Sequence, residues 1–276
     1  MPELPEVEVV VNWLSRTVRE RQIERVEVKY PRLIRALSPE AFSRRLKGGT
    51  IIKIGRRGKY ILIELDKDRT LLVHLRMTGE FFYVGNDREI RKQTAAVFYL
   101  DNKHKLVFDD HRHFGVMKLA QTSKLENTEE LSALGPEPFG KDFTDKYLYG
   151  VLQGSARSIK ELLLDQTKVA GLGNIYAAEA LFAAKINPKL RANELSKSQA
   201  NRLHKGIFDV LNRAVKTGKK AVKHADESIE NYFEGGYDRF AVYRREGKPC
   251  LRCGSMIKRI VQGSRSTFYC PNCQKK

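Results

Sequence analysis

The sequence contains no uninterrupted apolar run near the roughly 18 residues that a membrane-spanning helix requires. It shows no leader in which positive charge precedes an apolar core, no internal repeat and no low-complexity segment. Cysteine does not occur before Cys250. These absences argue against a membrane protein, a repeat protein and a secreted domain held by disulfide bonds. We therefore expect a soluble intracellular protein, whose 276 residues suffice for two ordinary domains.

Acidic residues are scarce relative to basic ones. The chain has 51 Lys and Arg against 33 Asp and Glu, which gives a formal net charge of +18 and a pI near 9.8. The basic residues are spread along the chain instead of being collected in a tail. An excess of this size indicates a polyanionic partner and says nothing about fold. Nucleic acid is the first expectation, and an anionic membrane surface is the second.

All four cysteines lie near the end of the chain, in two C-x2-C pairs. Cys250 and Cys253 form the first pair, and Cys270 and Cys273 form the second after sixteen intervening residues. This spacing is typical of a structural zinc site, in which each pair forms a turn that directs two thiolates at one ion. Two disulfide bonds are the alternative, but no secretory signal favours them. We expect one structural Zn²⁺.

The pattern of apolar residues changes along the chain and predicts a multidomain α+β fold. Residues 5–20 carry valine and leucine at helical spacing, and alternating runs typical of strands follow at 23–30, 49–65, 69–84, 95–110 and 114–120. Helical patterns return at 144–153, 158–166, 174–185 and 196–217.

We expect four segments from these patterns. An N-terminal β-sandwich led by one helix covers residues 1–133. A linker rich in proline and glycine, with the first helix after it, covers 134–155. A helical domain covers 156–247, and a zinc-ribbon hairpin covers 248–276.

The chain opens MPELPEVEVV, with Pro2, Glu3 and Glu6 directly after Met1. Proline and acidic residues suit the first turn of a helix, where acids face the positive end of the macrodipole. A second interpretation is chemical. If Met1 is removed, Pro2 carries a free secondary amine, and an α-amine with a pKa of roughly 7.7–8 is partly neutral and nucleophilic near pH 7. Position alone favours the helix interpretation.

Six motifs occur in order along the chain: MPELPEV at the start, GRRGKYI at 55–61, HLRMTG at 74–79, DHRHFG at 110–115, LLLDQTKVAGLGNIYAAEALF at 162–182 and GSRSTFYCPNCQ at 263–274. Together they resemble the formamidopyrimidine-DNA glycosylases, a bacterial family that excises oxidised bases. The resemblance covers essentially the whole chain, and it implies a helix–two-turn–helix in the helical domain. It also implies a monomer that acts on damaged double-stranded DNA in the bacterial cytoplasm, associated with the nucleoid and not with a membrane.

The resemblance implies catalytic roles for five residues. Pro2 is expected to attack C1′ of the sugar, and Glu3 to protonate the sugar and then move protons. Glu6 is expected to hold Glu3 in place. Lys59 is expected beside this terminus, and Arg265 is expected to grip phosphate with its planar fork and to assist a second elimination. The alternative for both glutamates is a solvated first turn.

The resemblance also implies DNA contacts. Met77, Arg112 and Phe114 match a set that fills the gap left when a nucleotide leaves the stack. Asn174 is expected to bond a phosphate that flanks the lesion, and His74 is expected on the DNA. Core packing is the alternative for the methionine and the phenylalanine.

Two further positions follow less directly. A lysine that the family uses on DNA falls at an alanine here, so we expect the adjacent Arg157 to bind DNA. For the neighbours of Lys59, Arg56 and Arg57, we favour solvated charge on the hairpin.

Residues 216–243 depart from the family pattern, because the Gly-Gly-Ser/Thr stretch that precedes its base-holding loop is not recognisable. We expect excision of oxidised purines, such as formamidopyrimidines and 8-oxoguanine, followed by β,δ-elimination through a Schiff base on Pro2. An endonuclease VIII-like glycosylase for oxidised pyrimidines is one alternative, although Leu4 favours the formamidopyrimidine branch. A non-catalytic protein that binds damaged DNA on the same scaffold is the other.

Overall fold

The computed structural model describes residues 2–222 and 240–275. Met1 and most of the divergent 216–243 segment therefore lie outside the described residues. The described chain divides into two compact units. The first comprises residues 2–132 with 215–222, and the second comprises 133–214 with 240–275. No helix among these residues is both long and apolar enough to cross a membrane.

The first unit begins with helix α1, Leu4–Thr17. Its buried face carries Val7, Val10 and Leu14, which recur every three or four residues as the sequence pattern predicts. Trp13 is also fully buried. The helix starts with a proline in its first turn, where the missing N–H costs no hydrogen bond.

Two sheets follow α1 and make a β-sandwich, as expected from the alternating runs. One has four strands in the order β1-β7-β8-β6, and the other has five in the order β2-β9-β5-β4-β3. All pairings within them are antiparallel except β2 with β9. The strands are β1 Ile23–Val28, β2 Ile34–Arg35, β3 Ile51–Arg57, β4 Tyr60–Leu65, β5 Arg69–His74, β6 Gly79–Gly85, β7 Thr94–Leu100, β8 His104–Asp110 and β9 Val116–Gln121.

The core of this unit lies between the two sheets and under α1. Phe81 and Phe108 of the four-stranded sheet pack edge to face, with ring centroids 5.0 Å apart. Ile61 and Val73 of the five-stranded sheet belong to the same buried cluster, as does Leu14 of α1. Burial of apolar area at roughly 25 cal/mol per Å² is what holds the three layers together.

Two short helices complete the first unit, and the sequence patterns did not indicate either of them. Helix α2, Pro39–Leu46, starts at Ser38, whose hydroxyl accepts the Ala41 N–H at 3.2 Å. Serine followed by proline is a strong start signal for a helix, but α2 has only eight residues and a narrow apolar face. Helix α3, Glu129–Ser132, is a single turn.

The second unit is helical and ends in a two-stranded hairpin. The structure confirms the predicted helices, although α5 is shorter than expected and α7 is longer. The helices are α4 Asp145–Gln153, α5 Ile159–Leu163, α6 Asn174–Ala183 and α7 Lys197–Ala221, and the hairpin strands are β10 Lys258–Gln262 and β11 Arg265–Tyr269. The last residues of α7, from 215 onward, belong to the first unit.

Candidate active site and zinc centre

The residues next to the N-terminal proline form a buried acidic cluster at the start of α1. Pro2 is buried, and Glu3 and Glu6 are only 2% and 5% exposed. The Glu6 carboxylate accepts the backbone N–H of Glu3 at 2.9 Å, and the Glu3 side chain faces the N–H of Glu6 in a reciprocal capping box. The helix entry predicted from the sequence is therefore present.

The solvated first turn, the alternative interpretation of these glutamates, is wrong. Burying two carboxylates costs free energy unless hydrogen bonds and a favourable field offset it. The N–H groups of the first turn and the positive end of the α1 dipole supply both. The helix start thus holds a carboxyl group, that of Glu3, in a fixed position away from bulk water and next to Pro2.

Lys59 lies in the turn between β3 and β4, and it is 8% exposed. Its neighbour Arg56 is not the solvated hairpin charge that the sequence suggested. The Arg56 side chain is 8% exposed, and its Nε donates to Glu8 Oε2 on α1 at 3.2 Å. No local sequence pattern indicates this pairing, because the two residues are far apart in the chain.

His74 ends β5, beside the Lys59 turn. Its partner across the ladder is Tyr60, and the two rings pack edge to face with centroids 4.8 Å apart. Burial and the positive charges of Arg76 and Lys59 lower the pKa of His74 to about 3. Nδ1 accepts the Arg76 N–H at 3.0 Å, so the neutral ring carries its hydrogen on Nε2. His74 is therefore a hydrogen-bond donor without charge.

The three residues predicted to fill the gap in DNA lie on two loops of the first unit. Met77 is 42% exposed and Phe114 is 51% exposed. Core packing, the alternative for both, is therefore wrong. The Arg112 guanidinium lies 4.8 Å from the Phe114 ring centroid, which forms a cation–π contact. Their exposure leaves both apolar side chains available for contact with another molecule.

Asp110 connects these two loops, a role that the sequence did not reveal. It pairs with Gly79 at the end of β8, and its carboxylate accepts the hydroxyl of Thr78. The same carboxylate accepts the backbone N–H groups of Arg112 at 3.2 Å and Gly115 at 2.6 Å. One buried acid thus fixes both loops relative to each other.

In the second unit, the Asn174 side chain at the start of α6 is held by two hydrogen bonds. Its Oδ1 accepts from Lys160 Nζ at 2.6 Å, and its Nδ2 donates to the Ser266 carbonyl at 3.0 Å. Lys160 is 1% exposed and also lies 3.4 Å from Thr267 Oγ1. Lys160 is not among the residues expected from the sequence, although a lysine at the start of an otherwise apolar helix face was an available signal.

Arg157, which the sequence analysis expected to bind DNA, does not belong to this cluster of Asn174, Lys160 and Thr267. Its Nη1 bonds Asp165 Oδ2 at 2.9 Å, and its side chain is 52% exposed. This guanidinium is held by an acid of its own unit, and among the described residues it bonds neither Asn174 nor Lys160.

Arg265 is exposed at the start of β11, directly after a two-residue turn. Gly263 and Ser264 have φ of 51° and 63°, the left-handed values that a tight hairpin turn uses. Ser266 and Thr267, the next two residues of β11, are those that bond Asn174 and Lys160. The network therefore fixes the strand that carries Arg265 beside the start of α6.

The four cysteines meet at one point of the hairpin, as their spacing predicts. Their Sγ atoms all lie within 4.8 Å of one another, and all four thiols are free. The Cys250–Cys273 and Cys253–Cys270 sulfur separations are 4.0 and 3.5 Å. Tetrahedral zinc with bonds of about 2.3 Å places sulfurs roughly 3.8 Å apart, whereas a disulfide bond is about 2 Å.

The electrostatics of this cluster also fit a cation. Burial and the neighbouring cysteine sulfurs raise the pKa of Cys273 to about 12. Hydrogen bonds from Ser255 lower the pKa of Cys253 to about 5. Four thiols this close cannot all ionise without a positive charge among them, which zinc supplies. The chain holds one structural zinc here.

Family models match three successive parts of the chain. The formamidopyrimidine-DNA glycosylase N-terminal domain matches residues 1–117, its H2TH domain matches 134–226, and the zinc finger found in FPG and IleRS matches 247–276. Together with the fold and the zinc site, these matches define a DNA glycosylase and AP lyase that acts on damaged DNA.

Curated relatives and solved structures agree with this class. The formamidopyrimidine-DNA glycosylases of Bacillus licheniformis and Desulforamulus reducens are 43% and 40% identical, and each alignment covers the whole of this chain and 100% and 99% of the relative. The chain belongs to the formamidopyrimidine-DNA glycosylase family.

Among solved structures, the Lactococcus lactis enzyme in complex with DNA that contains an abasic site has a TM-score of 0.91 at 35% identity. The match covers 99% of this chain and 100% of that one. The same enzyme has also been solved with DNA that contains FAPY-dG, with a TM-score of 0.89 at 35% identity and the same coverage.

Proposed function

We propose that this glycosylase everts and excises oxidised purines, formamidopyrimidines and 8-oxoguanine among them, and cleaves the resulting abasic site by β,δ-elimination through a Schiff base on Pro2. The observation that carries this proposal is the buried pair of carboxylates beside Pro2. A helix entry alone needs neither burial nor a terminal secondary amine. Removal of Met1 exposes that amine.

The chemistry assigns one step to each group. The Pro2 nitrogen forms a bond to C1′ and loses its proton while the glycosidic bond breaks, and the base leaves with that proton. Glu3 protonates the ring oxygen, so that the sugar opens to an iminium. The iminium acidifies C2′, and loss of that proton expels the 3′ phosphate. A further proton loss expels the 5′ phosphate, and water releases Pro2.

Other groups of the first unit position the reacting nucleotide. Lys59 supplies positive charge to the oxygens of the deoxyribose and its phosphate, and His74 donates its Nε2–H to a phosphate. Met77, Arg112 and Phe114 fill the space that the everted nucleotide leaves, at a cost of a few kcal/mol for unstacking. Their exposure on two locked loops supports this role.

The second unit binds the DNA backbone. Asn174 retains a second Nδ2 hydrogen for a phosphate, and Arg265 adds its guanidinium. Zinc holds the hairpin that carries Arg265. We further propose that residues 1–133 contain the catalytic residues and that residues 156–247 and 248–276 bind phosphates. We also propose that the protein acts as a monomer on nucleoid DNA in the bacterial cytoplasm.

One observation on a relative favours oxidised pyrimidines as a second class of lesion. The Lactococcus lactis enzyme has also been solved with DNA that contains an oxidised pyrimidine, with a TM-score of 0.89 at 35% identity. That complex belongs to a relative of the same family. Oxidised pyrimidines are therefore the second candidate substrate of this chain.

A panel of duplexes tests the proposal. We expect single-turnover excision to be faster for 8-oxoguanine and formamidopyrimidine than for 5-hydroxycytosine or thymine glycol. Cleavage should leave phosphate on both sides of the gap, the product of β,δ-elimination. Faster excision of the pyrimidines would support the second candidate. Tight binding without excision of any base would support the non-catalytic alternative.

A further inference from the structure

Arg56 connects α1 with the turn that carries Lys59. Its Nε donates to Glu8 Oε2 at 3.2 Å, and its Nη1 donates to the Gly58 carbonyl at 2.9 Å. The side chain is 8% exposed, so neither bond competes strongly with water. A single guanidinium thus binds a helix and a hairpin turn at once, which suits its rigid fork of donors.

The Gly58 carbonyl is the atom whose position matters most for Lys59. Arg57 pairs with Tyr60, so Gly58 and Lys59 are the two residues of the turn. The oxygen of Gly58 belongs to the planar peptide unit whose nitrogen is that of Lys59. A bond to this oxygen therefore fixes the peptide plane from which the Lys59 side chain starts. Gly58 has φ of 57°, so the turn conformation is one that few other residues adopt.

Glu8 supplies the other end of the connection. It lies five residues after Glu3 on α1, which is about 7.5 Å along the helix axis. Its Oε1 accepts from Lys219 in the last turn of α7 at 3.0 Å, while Oε2 holds Arg56. Burial alone would raise the pKa of Glu8, but Lys219 and Arg56 lower it below its usual value. Glu8 therefore remains a carboxylate at neutral pH.

We propose that Arg56, oriented by Glu8, is a positioning residue that fixes Lys59 relative to the Glu3 end of α1 in the lyase reaction. The inference rests on the proposed function, which assigns Lys59 to the reacting deoxyribose. It adds a residue that the sequence motif GRRGKYI contains but does not explain. The bond from Arg56 Nη1 to the Gly58 carbonyl is what gives this arginine a direct hold on the turn.

The geometry distinguishes positioning from simple ion pairing. If Arg56 served only to neutralise Glu8, a lysine at this position would serve as well. A lysine ammonium on a flexible stem cannot reproduce two donors held at fixed directions. Misplacement of a catalytic group by about 1 Å can slow a reaction by about 100-fold. Arg56→Lys should therefore retain the charge and lose the positioning.

The test measures how fast sodium borohydride traps the full-length protein on a duplex with an abasic site. Arg56→Gln should slow trapping by about 10- to 100-fold, and Arg56→Lys by about 10-fold. The dissociation constant for a duplex with a tetrahydrofuran abasic analogue should change by less than about twofold, because the buried Arg56 side chain bonds Glu8 and Gly58. If Arg56→Gln does not fold, Arg56→Lys gives the same comparison.

Two control variants isolate the connection to the turn. Lys53→Gln removes an exposed charge from β3, and Lys219→Gln removes the other partner of Glu8. Both should leave the trapping rate within about twofold of wild type. A loss for Lys219→Gln as large as that for Arg56→Gln would overturn the proposal, because the cluster would then act as a general support for the fold.

A double-mutant cycle decides whether Arg56 acts through Lys59. In a Lys59→Met background, Arg56→Gln should slow trapping by less than about twofold. An undiminished effect in that background would contradict the proposal. A wild-type protein that is never trapped would overturn the proposed function as well, whereas trapping that is unaffected by Arg56→Gln would overturn only this inference.

Discussion

The two units of this glycosylase hold their functional side chains by different means. In the first, Glu3 and Glu6 are fixed by a helix cap on a core formed by α1 and both sheets. In the second, Asn174 and the strand of Arg265 are joined by the buried Lys160. The small apolar cluster behind that hairpin includes two of the zinc ligands, Cys250 and Cys270.

Because of this difference, the proposed catalytic residues and the proposed phosphate-binding residues depend on different stabilising interactions. The acidic cluster beside Pro2 depends on packing that a metal does not touch, so loss of zinc should leave it intact. The phosphate-binding network depends on a hairpin with little apolar core of its own, and small zinc domains fold only when the metal contributes its binding free energy. Variants in the two units should therefore fail in different assays.

The largest effect is expected for Glu3→Gln in the first unit. The amide cannot exchange a proton, and general acid–base assistance contributes roughly 10²–10⁴-fold, so excision of damaged bases should fall in or above that range. DNA affinity should be retained. Because the Pro2 amine remains, the variant should still react with a preformed abasic site, as measured by borohydride trapping.

The control for Glu3→Gln is thermal melting of the same preparation. If the role of Glu3 were purely structural, Glu3→Gln would lower the melting temperature but leave excision close to normal in the folded protein. Such a result would mean that Glu3 only caps α1 and takes no part in the reaction.

The next largest effect is expected for Cys270→Ala or for removal of zinc by a chelator. The hairpin should lose its order, and affinity for abasic duplex should fall by about 100-fold as the contacts of Arg265 and Asn174 are lost. At saturating DNA, trapping through Pro2 should persist. Metal analysis that finds no zinc in the wild-type protein, with disulfide bonds in its place, would contradict the account of this unit.

A smaller effect is expected for Lys160→Met, which keeps the length of the side chain and removes its charge. Hydrogen bonds to charged groups contribute about 1.5–3 kcal/mol, so DNA affinity should fall by roughly 10- to 100-fold while the rate at saturation is retained. Lys146→Met, on the exposed face of α4, is the matched control. Equal losses in the two variants would mean that only net charge matters.

The smallest effect concerns the pH dependence of stability at His74. The pKa of His74 is about 3 in the folded protein and 6.5 as the usual value. Between these pH values, His74 is protonated in the unfolded chain and neutral in the folded one. Stability should therefore fall as the pH drops from 6.5 towards 3, by about 2 kcal/mol at pH 5 from this residue. Denaturant unfolding of wild type and His74→Gln at pH 7.5 and pH 5 should show that this part of the loss disappears in the variant.

Sequence reasoning found the elements whose signals are local. Short stretches of sequence are enough to show the helical spacing of α1, the alternation of the strands and the two C-x2-C pairs. The structure confirms all three. The motifs around Met77 and Asn174 were found by resemblance to a family. What the sequence missed depends on pairs that are distant in the chain, such as Arg56 with Glu8.

Burial explains the remaining differences. Arg56 and Lys160 were expected to be solvated or were overlooked because charged residues are mostly exposed. Both are buried with hydrogen-bond partners, and each fixes a neighbouring functional residue. Periodicity describes which face of an element is apolar, but it does not identify the charge that another element will cover.

The identity of the atom that becomes attached to DNA decides most directly whether Pro2 is the nucleophile. The protein should be trapped with borohydride on an abasic duplex, digested and sequenced by mass spectrometry. If Pro2 is the nucleophile, a single adduct forms on its amine, in a chain that lacks Met1. An adduct on Lys59, or a retained Met1 in an active preparation, would contradict it.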